Sequence, residues 1–593
     1  MTAAHFQAPD PPGFRLDPRV IGAFARFAGG YWRDKNAISA WTLTLGLAFA
    51  LLLSTAATVA LNQWNRWFFD ALERRDVETV TEAVFVFALI IAAMAAIGVL
   101  IVLARETLQV RWRAWIVQHL VERWLGERRF YHLNVSGREP PNPEYRISDD
   151  TRWATEPLVD LGIGLLLAVA GAAAFISILW SVGGAIVVTL GSWGTLRIPA
   201  YMVWVALAYG MLASGLMLWV GAPLVGYVGR KNEAEGYFRF AMMRIRDNAE
   251  SVALMNGGRY EQAILARFYD TVVARWLAIV WQHAHLTWIT NASGPMKPIV
   301  PLLFLAPKYL SGELTLGQVT QLAAAFVEVQ IAISWVVDNY NRVAEWYASA
   351  RRVMDIVEAC EATDREALVA KRPVTGTAIR ITDFEIADGR NRPLISGTGF
   401  AVAAGEAVHI YGESSTGKST LVRVLSGLWP TARGSVSVPA SAEVMIAPQK
   451  AYLPLGSLRG ALLYPNPALE VSDTRLASAL EKVGLGGLAP RLAEVTRWDQ
   501  VLSNGERQRL GIARLAIHAP RAVILDDALS ALDEGTQAAL FAHLRAELPN
   551  AIIVSLAQRA APWSLNDHQL CLERNGESSI LRAAGMASMA VAQ

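Results

Sequence analysis

Charge and cysteine are both scarce in this chain of 593 residues. Charged side chains make up 18% of it and hydrophobic residues 53%, and the mean hydropathy of +0.29 excludes a wholly soluble protein. Its two cysteines, Cys360 and Cys571, predict neither a disulfide framework nor a cysteine metal site. The 54 basic and 52 acidic residues form no long block of like charge, so no nucleic-acid partner is expected.

The beginning of the sequence lacks the basic and then apolar pattern of a cleavable signal. We therefore expect the first membrane helix to direct insertion and the start of the chain to stay in the cytoplasm. After a tail over 1–18, the apolar stretch Val20–Trp32 with Arg19 and Arg26 predicts a helix lying on the membrane surface.

Long apolar runs predict a transmembrane domain over 19–355, in contact with lipid. Each run can cross a hydrocarbon layer about 30 Å thick at about 1.5 Å per residue. Six crossings are predicted, at about 38–62, 82–104, 159–182, 199–226, 286–309 and 317–340. Basic residues are concentrated after the second and the fourth crossing, so the positive-inside rule places both termini in the cytoplasm.

One carboxylate, Glu328, lies inside the last apolar run. A carboxylate at membrane depth needs a partner or water. Two interpretations stay open: contact with a transported substrate or proton, or a structural pairing for which Lys297 is a candidate.

A linker over 356–377 is predicted to precede an α/β domain over 378–584, with a short tail over 585–593. Within that domain, a glycine-rich segment lies between the apolar strand Ala407–Tyr411 and a helix predicted over Ser419–Leu428. This context predicts a loop whose backbone amides bind the phosphates of ATP. The candidate nucleotide-binding residues of this loop are Gly412, Glu413, Ser414, Ser415, Thr416, Gly417, Lys418, Ser419 and Thr420. Lys418 is predicted to reach the terminal phosphates and Ser419 to bind Mg²⁺.

Further candidate residues follow along the chain. Gln449, at the end of a strand, is predicted to reach Mg²⁺ or the attacking water. Ser503, Gly505 and Glu506 open a helix, where donors at the N-terminus suit a γ-phosphate. Asp526 ends the apolar strand Val523–Asp526 and is predicted to hold Mg²⁺ through water.

The order of these motifs, completed by Ser530–Asp533, resembles that of ATP-binding cassette proteins. The resemblance implies that Gln449 belongs to the Q-loop and Leu502–Gln508 to the signature, with Asn504 where glycine is common. It also implies that the phosphate loop of one chain faces the signature of another, so we expect a homodimer, or a heterodimer with a similar chain.

Three positions depart from the cassette pattern. Asp527 occupies the position of the catalytic glutamate and is shorter by about 1.5 Å, a displacement that can cost about 10²-fold in rate. Gln558 occupies the position of the switch histidine and cannot take up a proton. Before Asp388–Gly389, where an aromatic residue should stack on adenine, the chain has Ile386, with Phe384 two residues earlier. We expect slow ATP hydrolysis, with Asp527, Gln558 and Gln449 as candidate catalytic residues.

The membrane half resembles the SbmA/BacA-type peptide transporters, their cassette-fused BclA-like relatives and the related peroxisomal fatty-acyl transporters. The segments Gln109–Trp115, Asn142–Asp150 and Asn232–Arg239 carry this resemblance. It implies a dimeric inner-membrane importer with an exporter-like fold that accepts antimicrobial or nodule-specific peptides, bleomycin or, in some relatives, cobalamin. The predicted fold is a six-helix α-helical transmembrane domain followed by an α/β P-loop nucleotide-binding domain.

Three functions stay open. The first is ATP-driven import of peptides and other bulky hydrophilic compounds, which a wide polar cavity would support. The second is translocation of lipid or acyl-CoA, which a basic pocket near the inner leaflet would support. The third is proton-driven transport with a regulatory, weakly hydrolysing cassette, consistent with Asp527, Gln558 and Glu328.

Overall fold

The computed structural model describes residues 17–35, 37–189, 195–367, 374–387, 393–397, 399–429, 433–440, 443–560, 566–576 and 578–583. The chain divides into two compact units, Met1–Glu361 and Ala362–Gln593. The predicted tail 585–593, nearly all of the predicted tail 1–18 and part of the predicted linker lie outside the described residues. The first part of that linker is helical up to Ala367.

The first unit is almost entirely helical. Its helices are α1 (Pro18–Ala28), α2 (Ala37–Arg74), α3 (Val77–Leu125), α4 (Arg129–Ser136), α5 (Pro143–Tyr145), α6 (Thr151–Gly183), α7 (Tyr201–Gly221), α8 (Leu224–Asp247), α9 (Ala249–Leu254), α10 (Gly258–Leu310), α11 (Leu316–Asp338) and α12 (Tyr340–Ala367), whose last residues belong to the second unit. Between α6 and α7, strand β1 (Ala185–Thr189) pairs antiparallel with β2 (Thr195–Pro199). A π-helical turn, Arg146–Asp150, joins α5 to α6.

Five helical segments of the described residues are long and apolar enough to cross a membrane. They are Ala37–Arg74, Val77–Ser136, Pro143–Gly183, Tyr201–Asp247 and Leu316–Asp364. The fifth predicted crossing, 286–309, lies within α10, which is not among them. Four prolines and Lys297 interrupt its apolar sequence and lower its hydropathy. The expected helix over 199–226 also begins later, at Tyr201, because Pro199 belongs to β2.

Two apolar clusters hold these helices together. One joins α1, α2, α3, α6 and α12 around Phe24, Trp112 and Leu120, so the apolar residues of α3 in this cluster are packing surface. The other joins α6, α7, α10 and α11, with Phe175 and Phe326 among its buried side chains. Each helix thus buries one face against neighbours, as an apolar stripe at helical spacing requires.

The second unit is an α/β domain. Its strands are β3 (Val374–Thr375), β4 (Ile379–Ala387), β5 (Pro393–Gly397), β6 (Phe400–Val402), β7 (Ala407–Tyr411), β8 (Arg433–Val438), β9 (Val444–Ala447), β10 (Gly456–Ser457), β11 (Val495–Thr496), β12 (Ala522–Asp526), β13 (Ile552–Ala557), β14 (His568–Asn575) and β15 (Ser578–Ala583). Its helices are α13 (Lys418–Leu425), α14 (Leu458–Leu463), α15 (Asp473–Lys482), α16 (Trp498–Val501), α17 (Asn504–His518) and α18 (Glu534–Glu547).

The main sheet of this unit has the order β3-β8-β4-β5-β15-β14-β7-β13-β12-β9, with β6 paired to β4. From β14 to β9 the strands are parallel. Val523 and Leu525 pack on one face with α14, α15, α17 and α18, while Ile524 packs on the other with α13. Burial on both faces explains why β7, β12 and β13 are almost continuously apolar. Their carboxyl ends meet at one edge, where open parallel sheets bind ligands.

Candidate nucleotide-binding site

The glycine-rich loop connects β7 to α13 at this edge of the sheet. The helix begins at Lys418 and ends at Leu425, where the sequence predicted Ser419–Leu428. Gly412 has no room for a side chain, because a Cβ would lie 2.5 Å from the carbonyl oxygen of Leu572. Gly417 has a φ of +98°, and a Cβ there would lie 2.8 Å from the Ile395 side chain. The loop therefore requires glycine at both positions.

Lys418 is buried at the start of α13. Its Nζ donates hydrogen bonds to the carbonyl oxygens of Gly412 (2.6 Å) and Glu413 (2.7 Å). Burial lowers the pKa of Lys418, and the nearby carboxylates of Asp527 and Asp526 oppose that shift. The ammonium group is thus held across the loop on which phosphates would lie.

A cavity of about 560 Å³ opens above the loop. It brings together many residues predicted from distant parts of the sequence. Its lining residues are Leu394, Ser414, Ser415, Thr416, Gly417, Lys418, Ser419, Thr420, Arg423, Gln449, Asp527, Gln558, Arg574, Ser578 and Ser579. The predicted residues Gly412, Glu413, Asp526, Ser503, Gly505 and Glu506 do not line it.

Asp526 and Asp527 follow one another at the end of β12. Burial raises the pKa of Asp526, and the neighbouring Asp527 carboxylate raises it further. Burial also raises the pKa of Asp527, although the attraction of Lys418 and a hydrogen bond from the Gln558 side chain each act to lower it. The described residues form no cluster of three or more histidine, cysteine or acidic ligands. One or two carboxylates with a loop hydroxyl and phosphate oxygens are a donor set that fits Mg²⁺ bound with a nucleotide.

His409 is a buried polar residue in β7 that the sequence interpretation missed. Its Nε2 donates to the carbonyl oxygen of Arg559 at a distance of 3.0 Å. Burial lowers its pKa, opposed by this hydrogen bond and by the Asp527 carboxylate. Burial thus favours the neutral form of the ring, which lies near the candidate catalytic carboxylate. A histidine inside an otherwise apolar strand was the available signal.

The signature segment opens α17, as its sequence predicts. Ser503 is the N-cap: its Oγ accepts a hydrogen bond from the Glu506 backbone (3.3 Å) and donates one to the Glu506 carboxylate (2.8 Å). The Ser503 backbone N–H also donates to this carboxylate (2.9 Å), and this hydrogen bond and the one from the Ser503 hydroxyl lower the pKa of Glu506. The hydroxyl expected to face a phosphate is thus engaged in the capping box of its own helix.

Two family models match the chain. "ABC transporter transmembrane region 2" matches residues 34–310, and "ABC transporter" matches residues 395–530. The chain belongs to the ABC transporter family. It is a multi-pass membrane protein with an SbmA/BacA-like membrane domain and an ATPase coupled to transport.

Relatives match this ABC transporter along nearly its whole length. The inner membrane ABC transporter ATP-binding protein YddA of Escherichia coli K12 is 26% identical over 91% of the chain and 95% of that protein. ABC transporter D family member 2, chloroplastic, of Arabidopsis thaliana is 26% identical over 88% of the chain and 82% of that protein. The lysosomal cobalamin transporter ABCD4 of Homo sapiens is 24% identical over 86% of the chain and 87% of that protein.

Gln508 links two candidate segments of the ABC transporter, and the sequence interpretation gave it no role. It is buried on α17; its Nε2 donates to the Gln449 carbonyl (3.2 Å), and its Oε1 accepts from the Ala531 backbone (3.0 Å). The segment around Gln449 and the one after Asp527 therefore share one side chain. Its place in the signature motif was the only signal in the sequence.

No aromatic ring of β4 is available for stacking on a base. Phe384 and Ile386 are 2% and 0% exposed and belong to the apolar core. Asp388–Gly389 lie outside the described residues. The sequence lacks the aromatic residue expected to stack on the base, and β4 supplies no exposed aromatic ring in its place.

Glu328 lies far along the chain from this site, on α11. It is half-buried, close to the buried residues Val329 and Gln330. Within the described part of the chain, no ion pair joins it to the suggested partner Lys297. The structural pairing with Lys297 is therefore not formed in this conformation.

Proposed function

We propose that this ABC transporter imports peptides and other bulky hydrophilic compounds, bleomycin-like and corrinoid molecules included, across a bacterial inner membrane. It works as a homodimer with six crossings per chain and both termini in the cytoplasm. The names of two relatives support this proposal: YddA is called an inner membrane protein, and ABCD4 a cobalamin transporter. The resemblance of the membrane half to SbmA/BacA-type proteins supports the peptide substrate.

A charged cluster formed by α3, α6 and α12 is the main observation in favour of a hydrophilic substrate. Asp160 on α6 accepts hydrogen bonds from Gln109 Nε2 (2.9 Å) and Arg342 Nη2 (3.0 Å). The side chains of Asp160 and Arg342 are 29% and 48% exposed. Charged groups near membrane depth face protein or water and avoid lipid. Their partial exposure therefore supports a wet pathway bordered by α3, α6 and α12.

We assign the nucleotide chemistry to the loop and the ends of β12 and β13. The loop amides, Lys418 and Ser419, together with Asp526, would hold ATP and Mg²⁺, and the metal would supply neutralisation of the phosphate charge. Asp527 accepts a proton from the attacking water. Gln558 orients Asp527 through its hydrogen bond, and Gln449 orients the water. The cavity that joins these side chains supports the assignment.

Uptake of a labelled cationic peptide tests this proposal. Cells without their own transporter would carry the intact protein, Lys418→Ala or the control Lys482→Ala, at equal abundance in the membrane. Lys482 pairs with Glu547 on the surface of the cassette and lies outside the nucleotide cavity. We expect uptake with the intact protein and the control, and none with Lys418→Ala. Full uptake with Lys418→Ala would contradict ATP-driven import. In that case, a loss of uptake in Glu328→Gln would favour proton coupling.

A second candidate function, translocation of lipid or acyl-CoA, is favoured by a cavity between α8 and α10. It measures about 440 Å³ and contains Tyr227, Arg230, Asp270 and Arg275. Paired guanidinium groups suit phosphate and carboxylate groups. Acyl-CoA should then stimulate ATP hydrolysis in reconstituted vesicles, and Arg230→Ala with Arg275→Ala should abolish the stimulation. A lack of stimulation in the intact protein would exclude this candidate.

A further inference from the structure

The hairpin of β14 and β15 extends beside the phosphate loop. Tyr411, the last residue of β7, pairs with Cys571 of β14, and Gly412 lies against Leu572. Because β7 ends there, the rest of β14 continues past the carboxyl end of its neighbour. Arg574 comes two residues after Leu572 and so lies on the same side of the strand. Arg574 therefore lies beyond the carboxyl end of β7, where the nucleotide loop begins.

The returning strand closes the other side of the loop. In β15, Ser579 pairs with Arg574 across the hairpin and with Ile395 of β5. Ile395 in turn contacts Gly417 of the phosphate loop. Since β5, β15, β14 and β7 are consecutive in the sheet, Leu394 at the start of β5 lies at the same edge. Both Leu394 and Arg574 line the nucleotide cavity.

Arg574 differs from the other arginine of this hairpin. Arg582 lies within 4.0 Å of the Glu573 carboxylate. Arg574 is exposed, and no ion pair or hydrogen bond holds its side chain within the described part of the chain. The guanidinium is therefore available to a ligand in the cavity that it lines.

We propose that Arg574 and Leu394 hold the base of the bound nucleotide, in place of the missing aromatic residue of β4. The guanidinium plane stacks on a purine as it does on aromatic side chains, through cation–π attraction and contact of the two flat faces. The apolar side chain of Leu394 suits a base and not a triphosphate. The phosphates already have Lys418 and the loop amides. This assignment rests on the ATPase activity and is independent of the transported substrate.

Nucleotide binding to the full-length protein in detergent tests the proposal. The ligands are Mg²⁺-ATP and, as a probe without base or ribose, Mg²⁺-tripolyphosphate. We expect Arg574→Ala to raise the Kd for ATP by about 3- to 20-fold and to leave the Kd for tripolyphosphate unchanged. Arg574→Lys should recover only part of the affinity, because an ammonium group has no flat face. Arg582→Ala, on the same hairpin, should bind both ligands as the intact protein does.

Tripolyphosphate binding also shows whether each variant keeps its phosphate loop folded. An unchanged ATP affinity in Arg574→Ala would overturn the proposal. An equal loss of affinity for ATP and tripolyphosphate, with unfolding excluded by the thermal transition, would overturn it too, since Arg574 would then contact phosphate. Leu394→Ala should weaken ATP binding selectively, in the same way as Arg574→Ala.

Discussion

Asp527 has a backbone conformation that suits a short polar side chain. Its φ is +47°, in the left-handed region where aspartate and asparagine are the best tolerated residues after glycine. The backbone is fixed there, since its N–H donates to the Leu556 carbonyl (3.0 Å) and its carbonyl accepts from the Ser530 hydroxyl (2.7 Å). With Gln558 hydrogen-bonded to its carboxylate, the two departures from the cassette pattern form one contact pair.

Asp527→Asn keeps this conformation and removes only the carboxylate. We expect kcat for ATP hydrolysis to fall by about 10²-fold or more, because the attacking water loses its general base. ATP affinity should stay within about twofold, since Lys418 and the loop amides are intact. Steady-state hydrolysis and equilibrium ATP binding measure the two quantities.

Asp499→Asn is the control for this variant, because Asp499 pairs with Arg497 outside the cavity. It should hydrolyse ATP at the rate of the intact protein. If Asp527→Asn kept more than half of the rate, Asp527 would have no role as a base.

At the scale of elements, the Asn142–Asp150 segment connects the start of α6 to α12. Asp150 is fully buried and accepts two hydrogen bonds from Arg352, at 2.8 and 2.6 Å. Arg146 donates to the Asp355 carboxylate at 2.7 Å and to the Arg352 carbonyl at 2.9 Å. Two ion pairs thus join this π-helical turn to α12. One of the segments that carry the resemblance to the SbmA/BacA-type transporters thus makes, in this fold, a structural connection.

Arg352→Ala should destabilise the membrane unit. The variant leaves the buried Asp150 carboxylate without its partner, which costs about 1–3 kcal/mol. Thermal unfolding followed by tryptophan fluorescence in detergent measures the loss. Arg351→Ala, at the exposed neighbouring position, is the matched control and should unfold like the intact protein. Equal midpoints for both variants would show that the pair contributes nothing to stability.

Asp567 connects three elements of the cassette unit. Its carboxylate accepts hydrogen bonds from the Ala407 backbone at the start of β7 (2.8 Å) and from Arg545 on α18 (2.8 and 3.0 Å). The hydrogen bond from Ala407 and the attraction of Arg545 hold the pKa of Asp567 below its usual value. A carboxyl group with a lowered folded pKa stabilises the fold above its unfolded pKa, and this stability is lost as pH falls through the folded value.

Asp567→Asn should therefore lower the unfolding midpoint of the cassette at pH 7. The difference from the intact protein should narrow as the pH falls below about 4, the usual pKa of aspartate, because Asp567 is then protonated in both states. Asp499→Asn serves as control at each pH. A difference that is independent of pH would mean that the effect is steric and not electrostatic.

At the scale of the whole molecule, the residues of the signature do not line the nucleotide cavity of their own cassette. Ser503, Gly505 and Glu506 are absent from the lining that contains the phosphate loop, Gln449, Asp527 and Gln558. Each chain carries one phosphate loop and one signature. A second copy of the chain would bring its signature to the open cavity, which is the physical basis of the proposed homodimer.

Co-expression with an inactive chain tests this assembly. If both nucleotide sites of a homodimer are needed, an equal mixture of intact and Lys418→Ala chains should keep about one quarter of the ATPase activity, because only one dimer in four has two intact chains. Independent monomers would keep about one half. The ratio of chains would be checked with two affinity tags, and the Lys482→Ala chain should not reduce the activity at any ratio.

Local patterns in the sequence were enough to predict the two halves, the phosphate loop, the helix that the signature opens and the strand ending in Asp526. Each of these features depends on an apolar run, on glycine positions or on other residues close together in the chain, so short-range interactions are enough to specify it. The same patterns predicted six crossings, and five helical segments of the described residues are long and apolar enough to cross a membrane; the prolines of α10 lower the hydropathy of the remaining one.

Only the tertiary structure decided which side chains share a cavity. Sheet order brings Leu394 and Arg574, 180 positions apart in the chain, to the edge beside the phosphate loop. Helix packing joins Asp150 to Arg352, and the sheet places His409 of β7 near enough to Asp527 to be affected by its charge. Such contacts depend on strand order and crossing geometry, and these are set by burial of the whole core. The sequence by itself therefore determined that the chain is an ABC transporter. The fold determined which distant side chains line its nucleotide cavity.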